Sequence, residues 1–358
     1  KLLNINIVIL TGSTKASRKK EIYKLLEIGE IDIIVGTHSL IQDKVKFKNL
    51  GLAIIDEQHK FGVAQRSKLW AKSNTPPHIL IMTATPIPRT LAMSAYGDLD
   101  ISLIDELPPG RKEITTVHRF DKNRLSVFKF IKEQINEGRQ IYVVYPLIEE
   151  SKNMDFKDLM DGYESLSREF EQPKYQISIV HGRMKAQDKE FEMKRFENKE
   201  TQILIATTVI EVGVNIPNAS VMVIESSERF GLSQLHQLRG RVGRGIHKSY
   251  CILMSGNKLS NQSKMRLKTM TQTNNGFLIA EKDLEIRGPG DIMGTQQSGV
   301  IDLKIADLIS DQKILIYARK FAKQILEDDK NLSKEKNNNL LNTYNHIVKN
   351  KDLWSYIG

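Results

Sequence analysis

Leu50–His59 reads LGLAIIDEQH, and this stretch decides the fold class. Leu50 to Ile55 is a short apolar run with β-branched character, the pattern of a buried strand in a parallel sheet. Asp56, Glu57, Gln58 and His59 then fall at its carboxyl end, where open α/β sheets hold their ligands. A carboxylate there can hold Mg²⁺ through water, and a second one beside it can accept a proton from an attacking water. Taken alone, an acidic pair at a strand end is more readily a solvated turn, and the full DEQHKFGV context reverses that preference.

Downstream, His78–Thr90 reads HILIMTATPIPRT. Ile79 to Met82 predicts a second buried strand, and Thr83 and Thr85 follow on a turn that Pro86 and Pro88 keep from becoming helix. Two hydroxyls placed there either transmit a change at the strand ends to another surface or satisfy the turn's own backbone.

The second half repeats the alternation of strand and helix. Strands are predicted at Ile141 to Tyr145, Ile177 to Val180 and Gln202 to Ala206, and His181 and Arg183 follow the second of them. In TTVIEVGVNIPNA, Thr207 to Ala219, Gly213 permits close backbone approach, and Asn215 before Ile216 and Pro217 marks a loop. QLRGRVGRG spans Gln237 to Gly245. If this stretch is helical, Arg241 and Arg244 share one face with Gln237 a turn upstream. Planar guanidinium groups suit phosphoryl oxygens and the charge that develops during transfer. Gly240, Gly243 and Gly245 each weaken a helix, which argues against an ordinary solvated one.

Composition agrees with a multidomain α/β protein. The chain has 358 residues, 40% hydrophobic, enough for more than one core, and its net charge of +10 suits a polyanionic partner. The single cysteine, Cys251, excludes an internal disulfide. No apolar run reaches the length of a membrane span, and no secretory signal is visible. Pro108 to Gly110 separates two α/β units. Ser151 to Lys174 has the pattern of an amphipathic helical segment with Phe156, Leu159 and Met160 on its apolar side. Beyond Gly299, two helices are expected to pack back onto the rest, the last near Tyr344 to Tyr356.

Together these strings identify a resemblance. GTHSLIQDKVKF, DEQHKFGVAQR, MTATPIPRTLAMSAYGDLDISLIDELPPGR, VVYPLIEES, HGRMK, QLHQLRGRVGRG and DLEIRGPGDIMGTQQSG resemble the RecG family of helicase superfamily 2 along nearly the whole chain. Transcription-repair coupling factors share TATPIPRT, GRVGRG and a similar DLEIRG segment, but DEQH with GVAQR, IDELPPGR and PLIEES look like RecG. The resemblance implies two RecA-like lobes that close over one ATP. The partial first lobe would be 1–110 and the second 111–255. A translocation motif of helical hairpin and loop would occupy 256–300, and a helical tail 301–358.

By the same resemblance, Asp56 and Glu57 take the Mg and water-activating roles, while Gln58 and His59 link ATP to Thr83 and Thr85. Gln237, Arg241 and Arg244 complete the site from the second lobe. Glu211 and Gly213 join ATP to DNA, and Asn215, where many relatives have aspartate, would contact the ribose as an uncharged amide. Arg183 faces DNA, and Arg287 and Gln296 couple lobe movement to the duplex. The implied activity is ATP-dependent translocation on double-stranded DNA that remodels forked DNA in recombination and repair. The protein would be monomeric and cytoplasmic, with single-stranded DNA-binding protein as a further partner. A coupling-factor-like motor and a non-catalytic DNA-binding module are the alternatives.

No GxxxxGK[ST] phosphate loop occurs in the sequence, and TGSTKASRKK from Thr11 lacks its pattern. The chain begins on an apolar strand without methionine and so reads as truncated. It is therefore expected to hydrolyse ATP very slowly alone and to self-associate through the incomplete first lobe.

Overall fold

The computed structural model describes residues 5–57, 72, 77–83, 102–104, 106, 111–146, 152–207, 216–287 and 311–349. The chain divides into two units. One comprises Lys1–Ala84, Thr90–Leu99 and Met293–Gly358, and the other Thr85–Arg89 and Asp100–Ile292.

In the first unit, β1 (Ile7–Leu10) pairs in parallel with β2 (Ile33–Gly36) across helix α1 (Ala16–Ile28). β3 (Leu52–Ile55) pairs in parallel with β4 (His78–Ile81). The strands expected around Leu50 and Ile79 therefore form, but they are not buried on both faces. One face of β1 and β2 packs Val8 and Leu10 on Ile22 and Leu26 of α1. The other leaves Ile7, Ile9, Ile33 and Val35 exposed. Leu52, Ile54, Leu80 and Met82 are likewise exposed. Side chains alternate across a strand, so an apolar run cannot reveal whether its second face is covered.

In the second unit, six parallel strands form one sheet in the order β5-β10-β9-β6-β8-β7. They are β5 (Ile114–Phe120), β6 (Gln140–Val144), β7 (Ile177–Val180), β8 (Ile203–Ala206), β9 (Ala219–Ile224) and β10 (Ser249–Ser255). Alternation across these strands feeds two cores. Ile141, Val143, Ile203, Ile205, Val221 and Val223 pack with α2 (Arg124–Asn136) and α3 (Lys152–Glu169). Tyr142, Val144, Leu204, Ala206, Met222 and Ile224 pack with α4 (Ala186–Glu197) and α5 (Leu232–Arg239). This is the doubly covered parallel sheet that the alternation of strand and helix predicts. Within the helical segment expected from Ser151 to Lys174, α3 covers Lys152–Glu169, with Leu159 fully buried.

The same local device recurs in both units at constant sequence spacing. After β1, the amide of Thr14 donates to Thr11 O, and Lys19 Nζ reaches back 2.9 Å to Gly12 O. After β7, the amide of Met184 donates to His181 O, and Lys189 Nζ reaches 3.1 Å to Gly182 O. Ile33 and Ile203 then open the next strands by donating to Asn6 O and Gln176 O. Each unit thus carries one strand, tight turn and helix of matching geometry, a duplication within the chain.

Beyond β10, α6 (Asn261–Gln272) and α7 (Gly276–Arg287) form a hairpin packed on α5. Ser260 caps α6 by accepting from the Ser263 amide at 3.1 Å. Asn275 does the same for α7, accepting from the amides of Phe277 and Leu278. The tail contains α8 (Gln312–Asp328) and α9 (Asn338–Lys349). The second of these begins earlier than expected, because the polar run at Asn337 to Asn339 enters helix once Asp329 has anchored the turn. That carboxylate accepts from the amides of Ser333 and Lys334 and from Asn337 Nδ2. Ile314, Tyr317 and Phe321 of α8 are exposed. Among the described residues, no helix is long and apolar enough to cross a membrane.

Candidate motor site

Register alone brings the first unit's candidates together. Ile55 is paired with Ile81, and the Met82 amide donates to Ile55 O at 2.8 Å, so Asp56 and Glu57 leave β3 beside Thr83 leaving β4. Asp56 is exposed, and one of its carboxylate oxygens accepts from the Glu57 amide at 2.8 Å. Glu57 has φ +52, a left-handed backbone uncommon for a residue with a side chain and costly enough to direct attention to the site. Gln58, His59 and Thr85 lie outside the described residues. An exposed aspartate at a strand's carboxyl end fits a hydrated divalent cation, since one carboxylate oxygen stays clear of the backbone bond.

In the second unit, the helix that leads to the arginines stops short of them. α5 ends at Arg239 with Gly240 as its C-cap, so Arg241 and Arg244 do not continue the face of Gln237. The reason is local: Gly243 takes φ +79, and its amide donates to Ser249 Oγ at 3.1 Å, which turns the chain off the helix. A Cβ on Gly245 would lie 2.3 Å from Pro217 O, so this glycine lets the arginine turn close onto the end of the NIPNA loop. Arg244 Nε donates back to Gly240 O at 3.2 Å, and Arg111 extends toward the same carbonyl at 3.4 Å.

These arginines form a cluster of like charge. Burial and the neighbouring Arg244 hold the Arg111 pKa below its ordinary value. The buried Tyr142 hydroxyl is pushed up to about 12 by burial, against the pull of Arg244 and Arg241. Arg241 and Arg244 both bear on the buried Tyr142 hydroxyl and Arg111 bears on Arg244, a concentration of positive charge suited to an anion.

Arg239 was not among the sequence candidates, yet it is the most buried arginine among the described residues, 2% exposed. Its Nη1 donates to Met270 O at 3.0 Å and to Thr273 O at 2.9 Å, at the carboxyl end of α6. Its Nη2 donates to His236 Nδ1 at 3.0 Å. The buried Asp283 of α7 accepts from Ser233 Oγ of α5 at 3.3 Å. The helix that leads into the arginine cluster is thereby fastened to both arms of the hairpin. Arg239 lies four residues beyond Leu235 and seven beyond Leu232, on the helix face that those leucines bury. A charged residue on an apolar stripe was the available signal.

A second missed pair closes the strand ends. Arg124 grips Glu225 with two bonds of 2.7 and 2.9 Å just past β9, and this partner raises the arginine's pKa. His181 and Arg183 do follow β7 as expected, and Arg183 is exposed. Burial, then Lys189 and Arg183, lowers the His181 pKa. Glu211, Gly213, Asn215 and Gln296 lie outside the described residues, as does the side chain of Arg287 at the end of α7.

One unit with a parallel sheet and an arginine turn beyond its last sheet helix, and another bearing an acidic strand end, define the class: a helicase built on RecA-like lobes. Residues 1–94 match the DEAD/DEAH box helicase family, and residues 125–245 the helicase conserved C-terminal domain. Residues 273–358 match domain 3, C-terminal, of ATP-dependent DNA helicase RecG. The chain belongs to the RecG family. It is 51% identical over 331 residues to the ATP-dependent DNA helicase RecG of Synechocystis, covering 92% of this chain and 40% of that protein. With the Bacillus subtilis protein of the same name it shares 49% over 326 residues, 91% of this chain and 47% of the relative. A solved structure of RecG bound to a three-way DNA junction superposes with TM-score 0.64 at 43% identity, covering 88% of this chain and 40% of that one. The chain thus spans less than half the length of the curated relatives it matches.

Proposed function

We propose that this chain supplies the motor of an ATP-dependent double-stranded DNA translocase that remodels branched DNA during recombination and repair. The observation that carries this reading is the double fastening of α5. The helix that leads into Arg241 and Arg244 is bolted by Arg239 and by Asp283 to the hairpin. A movement imposed on the arginine turn must therefore move the hairpin, which is what converting nucleotide chemistry into pulling on DNA requires.

In this reading Asp56 holds Mg²⁺ through water and Glu57 orients and deprotonates the attacking water. Bound Mg²⁺ would neutralise phosphate charge. Arg241 and Arg244 stabilise the charge that builds on the transferred phosphoryl group, with Gln237, Gln58, His59, Gly213 and Asn215 contributing to nucleotide binding. Thr83, Thr85, Glu211 and Arg183 carry the nucleotide state to DNA, and Arg287 and Gln296 act beyond the hairpin. The named relatives support this reading over a coupling-factor motor or a passive DNA-binding module. A monomer working in the bacterial cytoplasm, with single-stranded DNA-binding protein as a partner, completes the proposal.

The test is a full-length protein containing this chain, with Arg241 or Arg244 changed to alanine. Loss of 10³-fold or more in kcat with nucleotide binding retained, on the order of what removing such an arginine costs elsewhere, supports the assignment. Unchanged kcat would refute it.

A further inference from the structure

His236 is the one partner of Arg239 that is neither backbone nor hydroxyl. A guanidinium has only donors, so the 3.0 Å contact between Arg239 Nη2 and His236 Nδ1 requires Nδ1 to be the acceptor. That assigns the tautomer: the imidazole carries its proton on Nε2 and no charge. The surroundings enforce this state. Burial, then Arg239 and Arg111, pull the His236 pKa down to about 4. His236 also occupies the junction between the two arms of α5's role. Its carbonyl accepts from the amide of Gly240, the cap that starts the arginine turn, while its ring holds the arginine that grips the hairpin.

We propose that His236 is a positioning residue for coupling, in which Nδ1 orients the Arg239 guanidinium so that its other face meets Met270 O and Thr273 O. The inference rests on the motor reading given above. An arginine fork has a fixed plane, so fixing one edge directs the opposite edge. Without an acceptor at Nδ1, the guanidinium swings free of the α6 carbonyls, and the hairpin loses its polar attachment to the arginine turn while its apolar packing remains. Burial, with the charges of Arg239 and Arg111, keeps the imidazole from becoming a second cation that would repel Arg239.

Two substitutions separate position from bulk. His236→Asn returns an acceptor oxygen near the place of Nδ1, and His236→Leu keeps comparable volume without one. Hydrogen exchange on this chain should be unchanged in the β6, β8 and β9 core of all three proteins. Over residues 268–280 it should rise about tenfold in the leucine variant and stay near wild type in the asparagine variant. In the full-length protein, the leucine variant should keep basal ATP hydrolysis but lose at least tenfold of its stimulation by junction DNA, with the asparagine variant restoring it. Equal exchange over 268–280 in wild type and leucine variant overturns the proposal, as does equal damage in both variants. If the full-length wild type shows no stimulation by junction DNA, the motor reading fails instead, while the exchange pattern still reports on His236.

Discussion

Arg239→Leu isolates the fastening of the hairpin. The guanidinium makes three hydrogen bonds of 2.9 to 3.0 Å while almost fully buried. Hydrogen bonds from a charged donor contribute about 1.5–3 kcal/mol each in mutational series. Burying a guanidinium without a carboxylate partner offsets much of that sum, because desolvating one ion costs several kcal/mol. Leucine recovers part of the packing, but it leaves Met270 O and Thr273 O at the end of α6 without this donor. The expected net loss is about 2–4 kcal/mol. Urea unfolding followed by circular dichroism measures it on this chain, with Arg239→Lys as the control. Lysine keeps the charge but offers no planar fork, so it should recover less than half of the loss. An unfolding midpoint for Arg239→Leu equal to wild type would show that the hairpin is held by its apolar contacts alone and would refute the fastening.

Further consequences are equally concrete. Gly245→Ala forces a Cβ to 2.3 Å from Pro217 O, where only backbone can yield, so it should destabilise the second unit by about 1–3 kcal/mol in calorimetry and disturb the arginine turn. His236 has a folded pKa of about 4 against an ordinary 6.5, so the unfolded chain binds its proton first as pH falls. The stability it contributes is present above pH 6.5 and is lost between there and pH 4, by roughly 2–3 kcal/mol. His236→Asn should lose less than wild type when unfolding is compared at pH 7 and pH 4.5, and parallel losses would contradict the assignment. The exposed Ile7, Ile9, Ile33 and Val35 predict concentration-dependent self-association of this chain in sedimentation, weakened by Ile9→Lys with Val35→Lys. A constant monomer in wild type would count against that face as the contact.

Much of the fold was readable before any coordinates. Ile177–Val180 emerges with the bounds that its alternation predicts, and β3, β4, β6 and β8 shift by one or two residues, because strand ends depend on pairing that a single segment does not encode. The site was less legible. Arg241 and Arg244 stood out by spacing, but the helix stops two residues before the first of them. The stop depends on Gly243 meeting Ser249, six residues away in a different element. Arg239 stands on the leucine face of α5, but what it and Asp283 hold emerges only once the hairpin is folded against α5. Their partners are carbonyls and a hydroxyl remote in sequence, and no residue pattern announces a carbonyl.

The most direct measurement is ATP hydrolysis by a full-length protein containing this chain, without DNA, with linear duplex and with a three-way junction. Coupling through the hairpin should give low basal turnover, strong stimulation by the junction over linear duplex, and loss of that stimulation in Arg239→Leu with the basal rate retained. Equal turnover under all three conditions, or an Arg239→Leu protein stimulated like wild type, would contradict it.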